Sequence, residues 1–132
     1  MKISASISSK LNQHQITVKT NDAAKELNIA PKATGYGSSI NGAELLLTAL
    51  ATCFCNDIYR EAAKKGIEVT GVDVDFTCEF DTDGEPGFNF QYKAHVISNE
   101  PEEVINDLID HTDRIAEIHN TLRKGLNITL NK

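Results

Sequence analysis

One stretch of the chain decides its fold: NGAELLLTALATCFCNDIYREAAKKGI, residues 41–67. Its first half is apolar on almost every side, and its second half repeats apolar residues at helical spacing. Asn41 belongs to the residue types that cap helix N-termini, and Gly66 is the residue type that most often ends helices. We therefore predict one long helix between them. A helix that is apolar all round must be covered all round, so we expect a sheet on one face and a second subunit on the rest.

The segments on either side of this helix alternate between apolar and polar residues, which predicts strands. The expected strands are residues 2–9, a strand around Ile16 and Val18, a hairpin over 71–97 with its turn at 81–87, and a last strand through Leu126, Ile128 and Leu130. Residues 22–27 fit a third strand or a helical turn. A second helix is expected from Pro101 to about Arg114, followed by a short helix or turn around His119–Leu122. The order β-β-(β)-α-β-β-α-β predicts an α+β fold in which an antiparallel sheet packs on the long helix.

The length and net charge of the chain disfavour several classes of function. The 132 residues fit a single domain over 1–132. A net charge of −6 disfavours partners such as nucleic acid or an anionic membrane surface. The longest uncharged apolar run covers about 11 residues, whereas a membrane span needs ~18. The chain does not begin with the long apolar stretch of a signal peptide, so we expect a cytoplasmic protein whose thiols stay reduced.

Three cysteines, Cys53, Cys55 and Cys78, are therefore predicted to be free thiols or redox groups. No metal site and no cofactor are expected, because Cys-x-Cys without further cysteines or clustered histidines is a poor zinc signature. On a helix Cys55 lies about 200° around from Cys53, so these two side chains point apart. Asp57, one turn after Cys53, would raise the pKa of the thiol, so an activating group would have to come from elsewhere in the fold. Each thiol is either a small buried hydrophobe or a reactive group.

Residues 44–53, ELLLTALATC, resemble the central helix of the OsmC/Ohr family, small cytoplasmic thiol peroxidases that reduce organic hydroperoxides, and their relatives. Further similarity extends over most of the chain. Gly35–Ser39 resembles the Gly-rich approach to that helix, Lys65–Ile67 its end, and His119–Gly125 the segment after the second cysteine of the family. The resemblance implies an OsmC-like fold and an intertwined homodimer.

The resemblance also implies a catalytic apparatus. In the peroxidases a helix cysteine attacks the peroxide and becomes a sulfenic acid, and a second cysteine then forms a disulfide with it. An N-terminal arginine and a glutamate at the helix start hold the thiolate and the peroxide, and a dithiol reductant recycles the enzyme. Cys53 stands at the position of the attacking cysteine and is the candidate nucleophile.

This chain departs from the family pattern at three positions. Ala116 stands where the second cysteine would be, and Ala43 where the glutamate would be. Glu44 is one residue later, about 100° around the helix, and is a weaker candidate for that role. No arginine precedes Arg60. Lysines could supply the missing charge, but lysine lacks the planar fork that pairs a carboxylate twice; those available are Lys10, Lys19, Lys25 and Lys32.

Three functions therefore stay open. The protein could be a thiol peroxidase of altered design, in which Cys53 attacks and Cys55, Cys78 or an external thiol resolves. It could instead retain the fold without catalysis and bind a small hydrophobic or thiol ligand at the dimer interface. It could also be an interaction module whose apolar helix docks another protein. Consumption of an organic hydroperoxide that depends on Cys53 would distinguish the first from the others.

Overall fold

The computed structural model describes residues 1–132 and consists of two compact units, Met1–Leu45 and Leu46–Lys132. The elements follow the order β-β-β-α-β-β-α-α. They are β1 (Ile3–Lys10), β2 (Gln13–Thr20), β3 (Ala23–Leu27), α1 (Gly42–Lys65), β4 (Gly71–Glu79), β5 (Phe88–Ile97), α2 (Glu102–Ile115) and α3 (Glu117–Lys124). The α+β class expected from the sequence is confirmed.

The first unit is a three-stranded antiparallel sheet in the order β1-β2-β3. Ile16 in the central strand pairs with Ile7 on one side and Leu27 on the other, and it is buried. The segment 22–27, which fitted either a strand or a helical turn, forms β3. Gly35 has φ +86°, a backbone conformation that residues with a Cβ rarely adopt, and a Cβ there would lie 2.6 Å from Asn12 Oδ1, so the Asn12 side chain would also have to move.

The long helix α1 begins and ends with the signals that the sequence predicts. The Asn41 side chain accepts a hydrogen bond from the Glu44 amide (2.9 Å), and the Glu44 carboxylate accepts one from the Asn41 amide (2.7 Å). This reciprocal pair is a capping box; a polar N-cap is typically worth about 1 kcal/mol. At the other end Gly66 has φ +69°, and Ile67 N–H donates to the Ala62 carbonyl, as in a Schellman motif.

The core of the second unit lies between α1, the β4–β5 hairpin and α2. Phe54, Ile58 and Leu108 have no exposed surface, and Val96 of β5 packs with them. The Phe54 ring meets the Tyr92 ring edge to face at a centroid distance of 5.0 Å. The α1 residues that enter this core recur at helical spacing, which explains why this part of the helix is amphipathic.

Ala116 separates the last two helices. It is fully buried, and its extended backbone (φ −63°, ψ 108°) ends α2 and begins α3. The chain therefore turns sharply at this residue, and the Ile118 amide in the first turn of α3 reaches Cys53 of α1. None of the three helices has the combination of length and hydrophobicity that crossing a membrane requires.

The strands form two antiparallel sheets, β1-β2-β3 and β4-β5. One expected strand is missing. The last strand predicted through Leu126, Ile128 and Leu130 is absent, and residues 125–132 are irregular with these side chains exposed. Alternation alone does not make a strand, because the backbone groups also need a neighbouring edge with which to pair. The second subunit expected from the apolar helix stays a prediction.

Candidate functional site

Cys53 lies in the middle of α1 and is half-buried. Its thiol donates a hydrogen bond to Asp57 Oδ2, one helical turn later, at an Sγ···O distance of 3.5 Å. A second contact comes from α3, because the backbone N–H of Ile118 donates to the sulfur. The thiol is therefore held between a carboxylate of its own helix and the N-terminal turn of another helix.

Charged groups surround this thiol. Asp57 is 4% exposed, and its Oδ1 pairs with Arg60 Nη1 at 2.8 Å. Arg60 Nη1 also lies 3.6 Å from Glu117 Oε1 at the start of α3. One guanidinium thus bridges two carboxylates that flank Cys53, one on α1 and one on α3.

The pKa of the Cys53 thiol is raised above its ordinary value. Burial is the largest cause because it disfavours the charged thiolate, and the nearby charges of Asp57 and Glu117 act in the same direction. The hydrogen bond from the Ile118 amide opposes them and lowers the pKa. The effect of Asp57 that the sequence predicts is therefore confirmed, and the group that acts in the opposite direction comes from a distant part of the chain.

The pKa of Asp57 is also raised. Burial is again the largest cause, and the neighbouring Arg60 partly offsets it. The Asp57 carboxylate accepts the hydrogen bond of the thiol, and this favours the protonated thiol over the thiolate.

Glu61 fixes the position of Arg60. The Glu61 carboxylate lies 2.9 Å from Arg60 Nε and 2.8 Å from Lys64 Nζ, and His111 Nε2 lies 3.1 Å from its other oxygen. Hydrogen bonds from Lys64, Arg60 and His111 lower the pKa of Glu61 to about 2. Glu61 is therefore ionised over the whole physiological range and anchors the guanidinium beside the thiol.

The same cluster could offer ligands to a metal ion. One ligand atom each from Cys53, Asp57 and Glu117 lie within 4.8 Å of one another. The Arg60 guanidinium already pairs with both carboxylates, so the negative charge there has a cation within the chain.

The other three site candidates lie in different surroundings. Cys55 lines a cavity of about 300 Å³ beside Val72 and Val74 of β4, which differs from the surroundings of Cys53. Cys78 is a half-buried residue of β4, and all three cysteines are free thiols. Glu44 belongs to the capping box of α1. Roles for these three residues in catalysis stay predictions.

Sequence reasoning identified Cys53 and Asp57 but missed three other contributors, which are Arg60, Glu117 and the Ile118 amide. Arg60 could have been found from spacing, because it follows Asp57 by three residues and Cys53 by seven, on one helical face. Glu117 and Ile118 carry no local signal, because their position depends on how α3 packs on α1. The turn at Ala116 brings these two residues to the thiol.

The chain matches a known protein family over most of its length. A family model described as OsmC-like protein matches residues 35–131. This match includes α1, the hairpin, and both helices that follow. No significant match was found among curated protein sequences.

Solved structures with this fold include proteins from three bacteria. An OsmC-like protein from Mycoplasma pneumoniae is 24% identical, with 91% of this chain and 87% of that chain covered and a TM-score of 0.59. An organic hydroperoxide resistance protein OsmC from Legionella pneumophila is 18% identical (93% and 90% covered, TM-score 0.61). One from Vibrio cholerae, with captopril bound in one of its active sites, is 20% identical (93% and 85% covered, TM-score 0.60). At these identities the likeness shows the fold alone.

Proposed function

The chain belongs to the OsmC-like protein family, and from this premise we propose that it reduces organic hydroperoxides with Cys53 as the nucleophile. Two of the similar structures are named as organic hydroperoxide resistance proteins, which supports this substrate class. We also propose that it works in the cytoplasm as a homodimer.

The observation that carries the proposal is the contact of the Cys53 thiol with Asp57 and with the Ile118 amide. Together with Arg60, these groups supply a nucleophile, a hydrogen-bond donor to the sulfur, a nearby cation and a carboxylate that adjusts the pKa of the thiol. They differ in chain position from the arginine and glutamate of the family pattern. Arg60 and Asp57 both come from the helix that carries the nucleophile, and they are already paired.

The reaction consumes one thiol and one hydroperoxide. The Cys53 sulfur attacks the outer oxygen of the hydroperoxide, a sulfur–oxygen bond forms, and the oxygen–oxygen bond breaks. The attacking form is the thiolate, and the departing alkoxide takes up a proton from water, so the products are Cys53 sulfenic acid and an alcohol. Because the pKa of the thiol is raised, only a small fraction of Cys53 is thiolate at neutral pH, and the attack is slow there.

An external dithiol completes the cycle in this proposal. Its first thiol displaces water from the sulfenic acid and forms a mixed disulfide. Its second thiol then closes the disulfide of the reductant and releases the Cys53 thiol. The different surroundings of Cys55 and Cys53 on α1 favour this route over resolution within the chain.

The proposal is tested by following cumene hydroperoxide consumption in the presence of a dithiol reductant. We expect Cys53→Ser to reduce the rate to that of the reductant alone, because serine is a far weaker nucleophile at this pH. Cys55→Ser and Cys78→Ser are the matched controls, and each should keep the rate within about twofold of the unaltered protein, since an external dithiol resolves the sulfenic acid. Equal rates for Cys53→Ser and the unaltered protein would refute the peroxidase function.

A further inference from the structure

The short helix α3 has one buried side chain, and that side chain is a histidine. His119 is 5% exposed, whereas the other residues of the helix are half-buried or exposed. The residues that follow the helix, 125–132, are irregular and exposed, so they add no buried contact. The docking of α3 against the rest of its unit therefore depends on whether His119 stays buried.

The His119 ring lies in an aromatic cluster that other elements provide. Its centroid is 5.2 Å from that of Tyr92 in β5, 5.4 Å from Phe76 in β4 and 5.8 Å from Phe54 in α1. Neither ring nitrogen has a hydrogen-bond partner, and each has less than 1 Å² of exposed surface. A cavity of about 470 Å³ lies beside the ring, but the nitrogens are not accessible from it. Buried polar atoms are nearly always paired, so this unpaired imidazole is an exception that calls for a reason.

The surroundings of His119 favour a neutral ring. Its pKa is lowered, first by burial, which disfavours the charged imidazolium, and then by the charge of Arg123 on the same helix. Asp113 of α2 acts in the opposite direction, but its carboxylate already accepts hydrogen bonds from Tyr92 and Arg123. The Tyr92 hydroxyl is uncharged, because burial and Asp113 raise its pKa. From α1 and β4 only apolar rings face the imidazole.

The lowered pKa makes the docking of α3 sensitive to acid. A histidine in water has a pKa of about 6.5, so below that pH a solvated His119 takes up a proton that the buried ring does not. At higher pH neither form takes up a proton, and docking has its full strength. As the pH falls below that value, proton uptake favours the state in which the ring has left the aromatic cluster.

The position of His119 couples this equilibrium to Cys53. The Ile118 amide, which donates to the Cys53 sulfur, precedes His119 by one residue. Glu117, whose carboxylate lies 3.6 Å from the Arg60 guanidinium, precedes it by two. A movement that takes His119 out of the cluster therefore also takes the Ile118 amide away from the sulfur.

The ion pairs of α3 are weaker anchors than a buried side chain. Arg60 pairs with Glu117, and Arg123 lies 2.6 Å from Asp113, in both cases between partly exposed side chains. Solvent screens such pairs, and they contribute little to stability. They retain α3 only weakly once His119 has left the aromatic cluster.

We propose that His119 is an acid sensor: protonation of its ring releases α3 from the aromatic cluster and withdraws the Ile118 amide from the Cys53 sulfur. The surroundings of Cys53 are then complete at neutral pH and lose one of their groups in mild acid. This inference does not rest on the peroxidase function, because it concerns the docking of a helix in the reduced protein.

Amide hydrogen exchange, followed by NMR on the reduced protein without peroxide, tests the proposal. The Asn120 amide, which donates to the Ala116 carbonyl at 2.9 Å, reports on the opening of α3. After correction for the intrinsic effect of pH on exchange, this opening should increase on the order of tenfold between about pH 7 and pH 5, as uptake of one proton per opening requires. The Ile58 amide in the core of α1 should stay more protected at both pH values, because α3 opens locally.

His119→Phe keeps an aromatic ring in the cluster but cannot take up a proton. In this variant the opening of α3 should differ by no more than about twofold between the two pH values. Its opening at neutral pH should not exceed that of the unaltered protein, because no unpaired polar atom is buried. His95→Phe, at an exposed position of β5, is the matched control and should keep the full response to acid.

The imidazole ¹⁵N resonances of His119 in the unaltered protein give a readout that does not depend on how a variant folds. The ring should become protonated over the same pH range in which the α3 amides lose protection. Three results would each overturn the proposal. They are a protonated ring with α3 protection unchanged, an α3 opening that does not increase in acid, and an undiminished response to acid in His119→Phe.

Discussion

Asp57→Asn is expected to make the Cys53 thiol several-fold more reactive toward iodoacetamide at neutral pH. The carboxylate raises the pKa of the thiol through its charge and through the hydrogen bond that it accepts. Asparagine has nearly the same shape but no charge, so the substitution lowers the pKa and increases the thiolate fraction. The substitution also removes the carboxylate that lies closest to the Arg60 guanidinium. More of the guanidinium charge is then available to stabilise the Cys53 thiolate.

The measurement is the alkylation rate of Cys53 as a function of pH. In the unaltered protein the rate should rise with pH through a raised thiol pKa, because only the thiolate reacts. In Asp57→Asn the whole profile should move to lower pH. Asp107→Asn, on the exposed side of α2, removes the same charge elsewhere and should leave the profile in place. A profile that moves to higher pH in Asp57→Asn would contradict the account of the site.

Phe54→Ala is expected to lower the free energy of unfolding by about 3–5 kcal/mol, the range for deleting a large buried aromatic side chain. Phe54 has no exposed surface and lies at the centre of the α1, hairpin and α2 core. Its ring also contacts the rings of Tyr92 and His119. The substitution therefore leaves a cavity that rigid elements on several sides cannot close.

Urea unfolding followed by circular dichroism measures this loss. Phe80→Ala serves as the matched control, because Phe80 is 53% exposed and its removal should cost only about 0.5 kcal/mol. Equal losses for the two variants would show that Phe54 is not the centre of the core. Phe54→Leu, which keeps much of the buried volume, should fall between them.

The sequence was sufficient to predict the elements whose signals are local. The N-cap residue Asn41 and the glycine at position 66 define α1 to within a residue of its observed ends. The alternation from Val72 to Val96 likewise predicts the hairpin. The segment through Leu126 and Ile128 has the same alternation, but no strand edge lies beside it to pair with. A local sequence pattern does not show whether such an edge is present.

Prediction of the candidate site from the sequence is limited in the same way, because local patterns do not show which elements pack together. Cys53 and Asp57 are one turn apart on a helix, so their interaction and its effect on the thiol pKa followed from spacing. The contacts from Glu117 and Ile118 depend on the packing of α3 against α1 and could not be read from either helix alone. The cavity around His119 is equally a product of packing, because its walls come from α1, both strands of the hairpin and α3.

The most direct test of the central claim is to trap the oxidised form of Cys53. The protein would be treated with one equivalent of cumene hydroperoxide in the presence of dimedone, which reacts with sulfenic acids, and then digested for peptide mass spectrometry. We expect a dimedone adduct on Cys53, formed faster as the pH rises, with Cys55 and Cys78 unmodified. An unmodified Cys53 after the peroxide has been consumed, or an adduct only on Cys55 or Cys78, would contradict it.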